Sequence, residues 1–329
     1  MLNPVLNPSL FDRNALAPMP VNLRSGFARD MEQALRERPR SISPKYFYDA
    51  QGSALFDQIC ELPEYYPTRT EMALLQTHAQ EMAQLMDPQA EIVEFGAGSC
   101  TKVGLLLDAM QNPAAYRPID ISGEHLASAC AALGQRYPAL HIAPVVADYT
   151  QPLVLPAHSG RQRVGFFPGS TLGNFTPQEA LVFLKHAAQL LRGGALLLGA
   201  DRVKNPAVLH AAYNDAQGVT AAFNLNLLAR ANRELGCNFA LDQFAHSAFY
   251  NAPLRRIEMH LMSLCRQQVV LGDEVFTFEE GDSLHTENSY KFTAHSLRAL
   301  AAQAGFEPGP VWTDPDQLFS LYWLQAPAL

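Results

Sequence analysis

The chain has 329 residues, of which 48% are hydrophobic and 17% charged, with a net charge of −8. That length suits one large elaborated domain or two smaller ones. The acidic balance argues against nucleic acid or an anionic membrane as partner, since either selects a basic face, and leaves a small molecule as the default ligand.

Residues 1–22 carry Pro4, Pro8, Pro18 and Pro20 and read as an irregular arm, followed by a helix over about 25–37. The stretch SPKYFYDAQGSALFDQICELPEYYPTRTEMALLQTHAQEMAQL predicts a turn at Asp49 to Ser53, a short helix, a proline-bounded loop at 63–67 and a long amphipathic helix from about Thr68. From residue 91 short apolar runs, EIVEFGAG, YRPIDIS, LHIAPVVADY, RVGFFPGS and GALLLGAD, recur every ~20–30 residues, the rhythm of a parallel α/β sheet. Each ends in Gly, Asp or Ser, where a doubly wound sheet places its ligands. Residues 206–246 read as mostly helical, with Gly236 as a stop. RRIEMHLMSLCRQQVVL and EVFTFEEGDSLHTENSYKF then read as β, 294–304 as helix, and FEPGPVW with LFSLYWLQA as an antiparallel hairpin.

Cys60, Cys100, Cys130, Cys237 and Cys265 are scattered without a CxxC, as free thiols in a reducing compartment are. The N-terminus lacks the apolar core of a signal peptide and no 18-residue apolar run occurs, so a cytoplasmic protein is expected, with no membrane partner. A monomer is expected. The ten histidines include no pair at helical i,i+4 spacing with a nearby acid, so no metal is expected.

IVEFGAGSCTK is a strand, a glycine turn and a helix start, with Gly96 and Gly98 allowing close backbone approach. A dinucleotide fingerprint needs a third glycine where Thr101 stands. Glu94, before the loop, suits instead the cationic amino group of S-adenosylmethionine, which has no pyrophosphate to repel. Asp120 closes the second strand and can accept two ribose hydroxyls. Asp148 and Tyr149 close the third, where an acid and a flat ring suit adenine. Each acid alone also suits a helix cap or turn; three in succession favour a nucleoside-binding edge. In GFFPGSTLGNFTP, Asn174 offers amide donors and a carbonyl beside the reacting atoms, or simply precedes a helix capped by Thr176.

In SLHTENSYKF, strand alternation puts Glu287, Ser289 and Lys291 on one face and Asn288, Tyr290 and Phe292 on the other. The Glu287 face either looks at a ligand or pairs Glu287 with a cation such as Lys291.

The segments PKYFYD, GSALFDQI, LPEYYPTR, VEFGAGS, GSTLGNFTP, YNDAQGVTAAFN, RRIEMHL and TENSYKF resemble, in that order, the L-histidine Nα-methyltransferase family of ergothioneine biosynthesis, from about residue 40 to the C-terminus. The resemblance implies a Rossmann-like class I methyltransferase sheet with an inserted α+β substrate-binding domain. That substrate-binding domain would comprise 23–71 and 205–291, and the methyltransferase domain 72–204 and 292–329. It implies transfer of three methyl groups from S-adenosylmethionine to the α-amine of L-histidine, giving hercynine. Carried onto this chain, Asn174 and Tyr213 hold the substrate carboxylate and Tyr48 lies near the amine. Glu287 and Ser289 bond the imidazole, Tyr65 contacts it through water, and Phe56 and Met259 wall the pocket. Glu94, Gly96, Gly98, Lys102, Asp120, Asp148 and Tyr149 fall to the cofactor.

One departure from the actinobacterial pattern is Asn288, in place of a small apolar residue; alternation is expected to turn it away from the pocket. Two rival readings stand beside this one. A relative of the same fold acting on another aromatic amino acid would favour an apolar residue at 287, and a non-catalytic regulator would not need the polar pocket.

Overall fold

The computed structural model describes residues 22–156 and 161–328, so the arm expected at the N-terminus lies outside the described residues except for Asn22. Helix α1 spans Asn22–Arg36, and the two-residue strand β1 spans Arg40–Ser41. Helix α2, Ala50–Glu61, starts where the Asp49 side chain accepts the Gly52 N–H at 2.7 Å. Helix α3, Tyr66–Gln84, begins two residues before the expected Thr68, because Pro67 fits the first turn, where no N–H is needed.

The runs from residue 91 are the strands β2 Glu91–Phe95, β3 Ala115–Asp120, β4 His141–Ile142, β5 Val145–Val146, β6 Arg163–Phe167 and β7 Ala195–Asp201. They are separated by α4 Val103–Ala109, α5 Gly123–Arg136 and α6 Pro177–Leu190. The third expected strand is split in two, since Ala143–Pro144 interrupts the ladder. Every residue of β2, β6 and β7 is buried, as strands covered by helices on both faces must be.

Helices α7 Pro206–Tyr213 and α8 Val219–Leu235 follow, and Gly236 ends α8 at φ 71°. The expected helical region stops there: Phe244–Asn251 is a strand, β8. After it come β9 Arg256–Ser263, β10 Gln267–Leu271, β11 Glu274–Phe278, β12 Ser283–Tyr290, α9 Ala294–Gln303, β13 Glu307–Thr313 and β14 Phe319–Gln325.

Two sheets carry the architecture. The large one runs β13-β14-β7-β6-β2-β3-β4, with β5 also beside β3. It is parallel from β7 to β4, and β14 and β13 close it antiparallel. The order reverses at β2, whose neighbours are β3 and β6, and a ligand crevice is expected beyond their C-terminal ends. Alternation divides the core there: Ile92 packs with Leu75, Met82, Leu106 and Leu133 on one face, Val93 and Phe95 with Phe183 and Leu184 on the other.

The small sheet runs β1-β12-β9-β8. Its inner face, Ile257, Met259, Leu261 and Leu284, packs on Phe223, Leu227 and Leu228 of α8 in a third cluster that also takes in α1. Between His285 and Glu287 the β12–β9 register shifts. His285 therefore stands opposite His260 and Glu287 opposite the next residue back, Met259. Two residues that alternation would put on one face are sent to opposite faces by this bulge at Thr286.

Candidate active site

A single cavity of about 1210 Å³ joins the C-terminal edge of the large sheet to the small sheet. Its floor is the loop after β2. Gly96 and Gly98 take φ of 70° and 51°, and a Cβ on Gly96 would come within 3.3 Å of the Tyr149 ring. Asp120 Oδ2 accepts the Gly98 N–H at 3.0 Å and Oδ1 the Ser122 N–H at 2.9 Å. The loop and the acid at the end of β3 are thus one unit, and carboxylate lone pairs remain for hydroxyl donors.

Tyr149 stands among Phe95, Phe167, Phe175 and Phe183 with its ring on the cavity. Asp148 Oδ1 is held by the Thr150 N–H, while Oδ2 accepts Lys45 Nζ at 3.1 Å. Lys45 enters from the 3-10 turn Pro44–Phe47 and lines the cavity, a contribution the sequence reading did not single out. Glu94 is buried under the loop, and the Tyr116 hydroxyl donates to it. Burial holds its carboxyl well above the usual range. Lys102 Nζ lies 2.5 Å from Glu71 Oε2.

On the other side the wall is aromatic. The Tyr48 ring meets Phe56 edge-on at 5.7 Å, Phe56 meets Tyr65 at 6.3 Å, and Tyr65 meets Tyr213 at 6.5 Å. Burial, then the charge of Glu287, push the Tyr48 hydroxyl well above its ordinary value, so it stays protonated. Asn174 ends the 3-10 turn Thr171–Asn174 and lines the cavity, while Thr176 caps α6 in a capping box with Glu179.

Glu287 lines the cavity, and among the described residues no hydrogen-bond or ion-pair partner reaches its carboxylate. Burial pushes its pKa up to about 7, against the pull of Lys291. Lys291 does not pair with it. Its Nζ is 2.8 Å from Asp201 Oδ2, 2.8 Å from Ser289 Oγ and 3.2 Å from the Tyr213 hydroxyl. Asp201 in turn accepts from Tyr66 and Lys204. The Tyr213 hydroxyl donates to Ser289 Oγ at 2.7 Å, which leaves the Ser289 O–H as a free donor.

Of the residues named from sequence, Tyr48, Phe56, Tyr65, Glu94, Gly96, Gly98, Lys102, Asp120, Asp148, Tyr149, Asn174 and Glu287 line this cavity. Tyr213, Met259 and Ser289 are buried in the layer behind it. Asn288, expected to face away, lines the cavity as well, and its Oδ1 is buried without a partner. The reason is at the sheet edge: β1 pairs with β12 only at Leu284 and His285, so beyond them the strand edge opens to the cavity. Glu71 escaped the sequence reading because an acid in a long amphipathic helix looks like any solvated one.

A parallel sheet with a reversed order at β2, an antiparallel last pair and a glycine loop with an acid at the end of β3 define a class I S-adenosylmethionine-dependent methyltransferase. The family of histidine-specific, S-adenosylmethionine-dependent methyltransferases matches residues 27–326, and the chain belongs to it. It is 44% identical to a histidine N-alpha-methyltransferase of Mycolicibacterium smegmatis over 89% of this chain and 92% of that one, and 40% identical to one of Mycobacterium tuberculosis over the same shares. A 4-dimethylallyltryptophan N-methyltransferase of Claviceps purpurea is 24% identical over 93% of this chain and 98% of that one. A possible exported protein of Bordetella parapertussis shares the fold at TM-score 0.50 and 14% identity, over 93% of this chain and 96% of that one.

Proposed function

We propose that this chain methylates the α-amine of L-histidine three times, yielding the betaine hercynine for ergothioneine biosynthesis. The observation that carries the reading is Glu287: a half-buried carboxylate without a partner among the described residues, in an aromatic-walled cavity that also holds the glycine loop. An imidazole offers an N–H to such a group, whereas a phenyl ring would leave the desolvated charge unpaired.

S-adenosylmethionine would supply a methyl group on a sulfonium, open to in-line attack by a neutral amine. The loop at Gly96 and Gly98 fits it, because the missing Cβ atoms let the backbone close on a ligand. Asp120 would take the ribose, Asp148 and Tyr149 the adenine, and Glu94 and Lys102 the amino-acid end. In this reading the substrate domain is built from 23–71 and 205–291. Asn174 holds the histidine carboxylate, and Tyr213, from the layer behind the cavity, joins it once its hydroxyl hydrogen turns away from Ser289 Oγ, with Lys291 supplying positive charge. Ser289 donates its free O–H, Phe56 and Met259 bound the ring, and Tyr65 reaches it through water. Tyr48, kept protonated, orients the amine, and the proton released after each of the first two transfers leaves to solvent.

The test is incubation of purified protein with histidine and S-adenosylmethionine. Mass spectra should show mono-, di- and then trimethylated histidine, all on the α-amine. Ring methylation, or faster turnover of tryptophan than histidine, would overturn the reading.

A further inference from the structure

On the outer face of the small sheet, away from the inner-face residues used above, three potential ligands meet. We propose that Glu258, His260 and His285 form a site for one divalent transition-metal ion of the zinc, nickel or copper class, at the rim of the cavity.

The fold brings them together through pairing that no helical spacing reveals. His260 and His285 are directly opposed in the β9–β12 ladder, and Glu258 shares the face of His260 two positions away. The bulge at Thr286 is what turns His285 to this side. One donor atom from each residue lies within 4.8 Å of the others. Two ligands of a tetrahedral zinc stand roughly 3.3 Å apart for bonds of about 2.0–2.1 Å. Glu258 Oε2 and His260 Nε2, hydrogen-bonded at 3.2 Å, already stand at that spacing, and the ion would take the place of the hydrogen between them. His285 has to leave its stack on His260 for its nitrogen to reach the same ion, because an imidazole lone pair lies in the plane of its ring.

The surroundings hold the donors in the way metal ligands are held. His285 Nε2 lies 3.0 Å from the Glu287 carbonyl, which can only accept. The ring therefore carries its hydrogen on Nε2 and keeps a lone pair on Nδ1. Glu258 Oε1 accepts from Asn251 Nδ2 and Arg256 Nε, both at 2.8 Å, while Oε2 meets His260 Nε2 and is the oxygen a cation would take. The two imidazoles stack at 4.6 Å and 13°, and Phe249 covers the other face of His260 at 5.4 Å. Phe249 thus holds the His260 ring without using its nitrogens.

The same contacts select the ion. Arg256 already balances the charge of Glu258, so calcium or magnesium, which need several anionic or carbonyl oxygens, find too little here. Two imidazole nitrogens and one oxygen suit a borderline ion, which gains from nitrogen coordination, with water completing its shell.

The experiment is calorimetric titration of tag-free, chelator-stripped protein with zinc chloride and, separately, nickel chloride. Histidine is left out because it chelates both. One equivalent should bind, and His260→Phe, which keeps the ring stack and removes the nitrogen, should weaken binding at least tenfold. His285→Ala and Glu258→Gln should do likewise, with circular dichroism confirming that each variant is folded. Absence of binding, or equal binding by a folded His260→Phe/His285→Ala variant, as cysteine ligation would give, overturns the proposal.

Discussion

Glu71 Oε2 lies 2.5 Å from Lys102 Nζ, and the Glu71 carboxylate also accepts the Gly169 N–H at 2.9 Å. One fully buried acid from α3 thereby ties the glycine loop after β2 to the loop after β6, on both sides of the point where the strand order reverses. Gly199 leaves the room, since a Cβ there would come within 2.0 Å of Glu71 Oε1.

Breaking this pair by Glu71→Ala strands a largely buried ammonium and frees an N–H, so unfolding stability should fall by about 3–5 kcal/mol. Glu71→Gln should cost less, because its amide oxygen still accepts from Gly169. Denaturant melts of the two variants check the order; equal, small losses would mean the loops are held by other contacts.

Asp120→Ala removes charge-assisted hydrogen bonds worth roughly 1.5–3 kcal/mol each, and with them the anchor of the Gly98 N–H. Affinity for S-adenosylmethionine should drop by at least about tenfold in calorimetry. Unchanged affinity would place the nucleoside elsewhere.

Glu287→Ala should lower kcat/KM for histidine by roughly 10- to 150-fold, equivalent to about 1.5–3 kcal/mol. It should narrow the gap to tryptophan, because the apolar walls stay and the unpaired charge goes. Steady-state kinetics with both substrates decide it: an equal fall for the two would assign Glu287 to the fold.

Tyr48→Phe keeps the edge-on contacts with Phe56 and Phe223 and deletes one hydroxyl. A neutral hydrogen bond contributes about 0.5–1.5 kcal/mol, so kcat should fall by no more than roughly tenfold. A loss near a thousandfold would instead make Tyr48 the proton acceptor, which its raised pKa opposes.

The chain by itself determined what depends on neighbours in sequence. The apolar runs of β2, β6 and β7 mark buried parallel strands because every position along them must exclude water. The glycine turn at 96–98 and the closing acid Asp120 are legible because backbone conformation and strand-end chemistry are local. Strand β8 was not legible, since FAHSAFYN becomes a strand only through its ladder to β9. Tertiary structure alone decided the partner of Lys291, which could equally have been Glu287 on its own strand. Asp201 takes it because the end of β7 brings a fully buried acid within 2.8 Å, and a buried ammonium needs the nearest desolvated charge. That choice leaves Glu287 free in the cavity. The bulge at Thr286 was likewise undecided by the residues, for a one-residue slip depends on how β12 pairs with β9, and it determines which side chains face the cavity wall and which meet His260.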